Sequence, residues 1–226
     1  MMWRIAFILL SFQCFAQPFT KDQLLGKVTP ATDTSFAQIG TYPGSARALY
    51  LRVEAAAALQ RMIAAAKADS IELTVLSATR TFEHQAVIWN RKYKAAEGTA
   101  QERVEQVLEY SAMPGTSRHH WGTEVDFNSL STDYFKAGVG KAVHDWLSLH
   151  AAAYGFYQCY TDSVEGSYET EPWHWSYLPL SGPMLKAYSA TVTYDDLVGF
   201  HGCHLAEDLA VFERFVWGID PKLLQL

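Results

Sequence analysis

The segment Thr123–Asn128 constrains the fold more than any other stretch of this 226-residue chain. Thr123, Val125 and Phe127 alternate with Glu124, Asp126 and Asn128, the period-two pattern of a half-buried strand. Such a strand cannot stand alone, because its apolar face needs a core and its backbone needs neighbouring strands. Candidate neighbours are Ile71–Ser77, which also alternates, and Phe156–Tyr160 and Trp173–Tyr177, joined by the polar loop Thr161–Thr170. Their shortness predicts one small antiparallel sheet whose strand order the sequence does not give.

Helices are expected between them. Ser45–Ala68 is rich in Ala, Leu, Arg, Glu and Met, and Leu49, Val53, Ala56, Leu59 and Ile63 recur at steps of three and four. Further helices are predicted over Thr81–Ala96, Gln101–Ser111 and Val139–Tyr154, the last stopped by Gly155 as a C-cap. Pro114-Gly115 forces a turn. From Gly182 onward the chain reads as mostly helical, best over Leu205–Trp217. The fold class is α+β, a single domain with a small antiparallel sheet flanked by helices.

Hydrophobic residues make up 49% of the chain, ample for one buried core. Charged residues are scattered and the formal net charge is -6, which argues against nucleic-acid partners. Residues 1–16 read as a secretory signal peptide, with Arg4 ahead of the apolar run Ile5–Leu10 and cleavage expected after Ala16. The mature domain is then 17–226, exported to a periplasmic or extracellular space. That apolar run is too short to span a bilayer, so no transmembrane anchor is expected, and a monomer is. Lipidation at Cys14 is disfavoured by the bulky residues before it. Export leaves Cys159 and Cys203, which favours a disulfide over two buried thiols.

Two places carry unusual chemistry. In Ser117-Arg118-His119-His120-Trp121-Gly122-Thr123-Glu124-Val125-Asp126, a histidine loop runs into a strand that carries an aspartate. In Glu171-Pro172-Trp173-His174-Trp175, a glutamate and a histidine lie three apart. Each has an ordinary structural reading, as a loop cap or a charge at the start of a strand. Together His119, Asp126 and His174 match the three protein ligands of a catalytic zinc site, and Glu171 could act on water if Pro172 bends the chain. Spacing alone leaves both readings open.

Ser-x-His-x-x-Gly-x-x-x-Asp followed by Glu-Pro-Trp-His-Trp resembles the paired signatures of the VanY-type D,D-carboxypeptidases and their L,D-carboxypeptidase and D,D-dipeptidase relatives, the LAS metallopeptidases. Ser77-Ala78-Thr79-Arg80-Thr81-Phe82-Glu83-His84-Gln85, Tyr110–Ser117 and Tyr154-Gly155-Phe156 match further segments in the same order, over about 71–177. The resemblance implies that His119, Asp126 and His174 bind Zn2+, that Glu171 is the general base, and that Arg80, Ser117 and Gln85 hold the substrate, with Arg80 able to serve catalysis as well. It implies peptidoglycan stem peptides as substrate, with hydrolysis of the terminal D-Ala bond. An L,D-carboxypeptidase, a cell-wall endopeptidase and a non-catalytic zinc-stabilised binding module remain as alternatives.

One position departs from the pattern. Glu124 stands where many members of the family have a small residue, on the same strand face as Asp126, free to pair with Arg118 or His120 or to add charge near the metal. His120 is expected to point away from the site, as a loop or rim residue.

Overall fold

The computed structural model describes residues 19–162 and 166–225. The signal peptide read over 1–16 lies outside the described residues. A short helix α1 (Lys21–Leu24), capped reciprocally by Thr20 and Gln23, precedes an antiparallel ribbon of β1 (Phe36–Thr41) and β2 (Ala48–Arg52). Then follow α2 (Val53–Ala68), β3 (Val75–Ser77), α3 (Phe82–Ala95), α4 (Ala100–Leu108) and a 3-10 turn over Arg118–Trp121. The remainder is β4 (Glu124–Phe127), α5 (Gly138–His150), β5 (Phe156–Gln158), β6 (His174–Tyr177) and α6 (Leu178–Thr191). Four strands form one antiparallel sheet in the order β3-β4-β6-β5.

The sheet divides two apolar clusters. One packs Val125, Phe127, Phe156 and Trp175 against α2 and α5, through Leu59, Met62, Val143 and Leu147. The other gathers Trp89 of α3, Leu108 of α4, Trp121, Met184 and Tyr188 of α6, and residues such as Leu197, Phe212 and Val216 that follow it. Glu124 and Asp126 are therefore buried along with Val125 and Phe127. The expected half-buried strand is covered on both faces.

Two expectations are corrected. The helix expected from Ser45 begins at Val53, because Ala48–Arg52 pairs with β1 and Arg52 donates its N–H to the Gly122 carbonyl at 2.8 Å. Leu49 and Leu51 are buried on a period of two, and Val53, assigned to the core stripe, is 45% exposed. The four strands expected from the sequence do form one antiparallel sheet, and the β1–β2 ribbon is a second, two-stranded sheet not expected from the sequence. The second correction concerns the C-terminal region, where Leu205–Trp217 is not a regular helix. Ala210 adopts φ +48° and separates a 3-10 turn (Cys203–Leu205) from a single π-helical turn (Phe212–Val216).

Gly155 caps its segment at φ +83°, as read from the sequence. Gly122, at φ +74°, turns the His119-bearing loop into β4. A Cβ there would lie 2.5 Å from the Phe36 ring. Replacing Gly122 by Ala combines left-handed strain with that clash, and is expected to lower stability by about 1–3 kcal/mol. Urea unfolding followed by far-UV circular dichroism should show a lower midpoint with an unchanged slope.

Candidate metal centre and its cavity

The polar face of the sheet builds the site. Pairing of β4 with β6 sets Asp126 opposite His174 and Glu124 opposite Ser176. The 3-10 turn brings His119 to the same face, where its ring stands edge-on to that of His174 at 5.0 Å. His119 Nε2 lies 3.3 Å from Asp126 Oδ2, and His174 Nδ1 lies 3.1 Å from Asp126 Oδ1. Each of the three residues offers a ligand atom within 4.8 Å of the others.

Two imidazole nitrogens and one carboxylate oxygen are the donor set of a catalytic zinc site, and the second atoms of the rings support that fit. His119 Nδ1 faces the Ala78 carbonyl at 2.8 Å, so it carries the proton and leaves the Nε2 lone pair toward Asp126. Burial opposes charge on Asp126, but His119 and His174 outweigh it and hold the carboxyl well below the usual range. The acceptor is thus ready for a cation.

Glu171 converges on this group through the bend expected at Pro172. The His174 N–H donates to the Glu171 carbonyl at 3.2 Å, closing a turn with proline at its second position. Glu171 Oε2 then lies 3.9 Å from His174 Nδ1. Burial pushes its carboxyl up to about 7, with His174 opposing and Asp126 assisting the shift.

These residues line a cavity of about 390 Å³, shared with Arg80, Lys92, Ser117, Tyr168 and Trp173. Arg80 donates from Nη1 to Gln85 Oε1 at 2.8 Å and from Nη2 to Ser77 Oγ at 3.2 Å. Gln85, expected to touch substrate, is instead fully buried, and its amide donates to the Ala112 carbonyl at 2.6 Å. It steadies Arg80 from behind. Lys92, which donates to Ser111 Oγ at 2.8 Å, and Tyr168 went unnoticed in the sequence. A lysine on a helix and a tyrosine in a polar loop have no spacing that marks them.

His120 points away from the candidate donors but is not at a rim. It is fully buried, with Nδ1 2.6 Å from the Arg80 carbonyl and Nε2 accepting the Gly115 N–H at 3.0 Å. Burial drives its pKa down to about 3, so the ring is neutral. Glu124 pairs with Arg118 at 3.3 Å, one of the two partners named for it. The expected disulfide is not formed: Cys159 and Cys203 are both free thiols. Cys159 is buried beside Arg118 at the end of β5, whereas Cys203 is partly exposed in the 3-10 turn beyond α6.

The family model for VanY, D-alanyl-D-alanine carboxypeptidase, matches residues 48–180. A D-alanyl-D-alanine carboxypeptidase of Enterococcus faecalis is 34% identical over 125 residues, 53% of this chain and 45% of that protein. YodJ of Bacillus subtilis is 35% identical over 134 residues, 57% of this chain and 46% of that protein. The chain therefore spans about half the length of the curated relatives it matches. Among solved structures, the vancomycin-resistance D,D-pentapeptidase VanY in complex with Zn(II) is 28% identical, with TM-score 0.50, over 75% of this chain and 93% of that one. VanYB in complex with D-alanine-D-alanine is 27% identical, with TM-score 0.51, over 75% and 90%. With a family model covering both metal-facing segments and the sheet that joins them, the chain belongs to the VanY family of D-alanyl-D-alanine carboxypeptidases.

Proposed function

We propose that the chain is a zinc-dependent D,D-carboxypeptidase that removes the terminal D-alanine from peptidoglycan stem peptides outside the cytoplasm. The observation that carries this reading is the convergence, in one cavity, of three metal donors, a carboxylate outside the donor set and a guanidinium. The related VanYB structure, bound to D-alanine-D-alanine, supports the substrate class. Among the described residues no helix is long and apolar enough to cross a membrane.

His119 Nε2, Asp126 and His174 Nδ1 would hold the zinc. When bound, zinc supplies Lewis-acid chemistry, polarising a peptide carbonyl and making water acidic near neutral pH. Glu171 Oε2 takes the proton of the attacking water and passes it to the leaving amine. Arg80, held by Gln85 and Ser77, presents its fork to the developing oxyanion or to the terminal carboxylate of the peptide. Ser117, on the cavity wall, positions the peptide chain.

Purified protein should release D-alanine from a synthetic stem pentapeptide, lose that activity to a chelator and regain it with zinc. Mass spectrometry of the products reads this directly, and hydrolysis of tetrapeptide stems alone would turn the assignment to L,D-specificity. Replacing Glu171 by Ala should keep zinc occupancy and lower turnover by about a hundredfold or more. Replacing His174 by Ala should remove the zinc itself. Elemental analysis beside pentapeptide kinetics separates the two, and a zinc-free Glu171→Ala protein would make Glu171 a ligand instead.

A further inference from the structure

We infer that Glu124, clamped by Arg118, is the positioning residue that turns His174 so that Nδ1, rather than Nε2, faces the metal. The inference rests on the zinc site proposed above and concerns the far side of one of its ligands. His174 Nε2 lies 3.0 Å from Glu124 Oε2, and neither atom has a hydrogen-bond partner elsewhere among the described residues. Glu124 is fully buried, as is Arg118, whose Nη2 lies 3.3 Å from Glu124 Oε1. Ser176 donates to that same oxygen at 2.7 Å and accepts from Arg118 Nη2 at 2.9 Å. Thr123 adds a third contact at 3.1 Å. With Oε1 fully engaged, Oε2 is left for the imidazole.

The two histidines differ in how they are oriented. The outer nitrogen of His119 meets a backbone carbonyl, which any side chain at that position would leave in place. The outer nitrogen of His174 meets a carboxylate that the sequence must supply. A carboxylate behind a ligating imidazole fixes the tautomer and makes the inner nitrogen a stronger donor.

Glu124, Cys159 and His174 also lie within 4.8 Å of one another, and so could be taken for a second metal site. Arg118 decides against it. Its guanidinium already places a positive charge against Glu124 and beside the Cys159 thiol, which burial holds protonated. The carboxylate is neutralised by a fixed cation on one side and spends its second oxygen on the ring.

The decisive measurement uses 15N-labelled, zinc-loaded wild-type protein and long-range 1H–15N correlation. His174 should show a protonated Nε2 and a metal-bound Nδ1, and His119 the reverse. Zinc bound through His174 Nε2 would overturn this inference alone, whereas failure to bind zinc at all would overturn the metal reading as well. A double variant, Arg118→Met with Glu124→Met, removes both charges so that neither is left buried alone. Its zinc Kd, by competition with a chromophoric chelator, should be about 10–100-fold weaker. Arg118→Met with Glu124→Gln restores an acceptor for Nε2–H and should recover most of that loss. An unchanged Kd and unchanged ring signals in the double Met variant would overturn the role of Glu124. Should that variant fail to fold, the wild-type ring assignment decides the question.

Discussion

Antiparallel pairing of β4 with β6, which sets Asp126 against His174 and Glu124 against Ser176, is the constraint on which the rest of the structure depends. A slip of one residue would turn Glu124 and Asp126 into the apolar cluster and expose Val125 and Phe127 to the cavity. The correct register places Arg118, His119, Glu124, Asp126 and His174 together, all buried. Charges taken out of water are tolerated only when each is answered by another. Here Asp126 sits between the two imidazoles, His174 between the two carboxylates, and Arg118 closes the chain on Glu124. Removing Arg118 or Glu124 alone would leave the other charge buried without its partner, a loss of about 3–5 kcal/mol. Register, charge and metal-binding geometry are therefore one problem with one solution.

The loops around that sheet are held by contacts that carry no chemistry themselves. The Arg80 N–H donates to the His119 carbonyl at 3.0 Å, and His120 bridges the Arg80 carbonyl and the Gly115 N–H. A displacement of the ligand loop would thus move the guanidinium with it. Tyr188 of α6 donates to the Gly115 carbonyl at 2.9 Å, and the Asp220 N–H donates to the Cys159 carbonyl at 2.9 Å. Tyr168, on the cavity wall, packs on Phe215 with ring centroids 4.9 Å apart. Residues after 180 lie beyond the family match, yet they back both the ligand loop and the segment leading to Glu171. Beyond α6 the backbone proceeds in short turns, with positive φ at Gly199, Gly202 and Ala210.

What was legible in the sequence follows from this division. The alternation of Thr123–Asn128 and the stripe of α2 report local periods, and both elements are present. Ala48–Arg52 was misread because its residues favour a helix, while the partner strand that overrides them lies elsewhere in the chain. Leu49 and Val53 stand four apart, a spacing that suits either period. The candidate donors His119, Asp126 and His174 could be named because metal chemistry restricts residue type, and the structure brings them within 4.8 Å of one another, while the turn at Pro172 was legible because proline restricts φ. Gln85 illustrates what was not. Its position marks it as part of the site, but only the folded chain shows that Arg80 stands between it and the cavity. The disulfide expectation failed for a related reason, since compartment and count say nothing about whether two thiols meet.

Two glutamates flank His174, and their surroundings assign them different work. Glu124 meets the outer nitrogen and is fully buried, and although burial disfavours its charge, Arg118 and His174 hold its pKa at about 2. It is therefore an anion at neutral pH. Glu171 stands on the inner side, its side chain 17% exposed, and burial without a fixed cation of its own raises it to about 7. A carboxyl in that range exchanges protons near neutrality, although a cation held beside it would draw the value down. The divergence comes from Arg118, which is within 3.3 Å of one glutamate while Arg80 spends its hydrogen bonds on Gln85 and Ser77. Identical side chains on either side of one imidazole thus differ in charge near neutrality because the chain supplies a dedicated guanidinium to only one of them, which is the difference that the proposed roles of orienting charge and proton acceptor require.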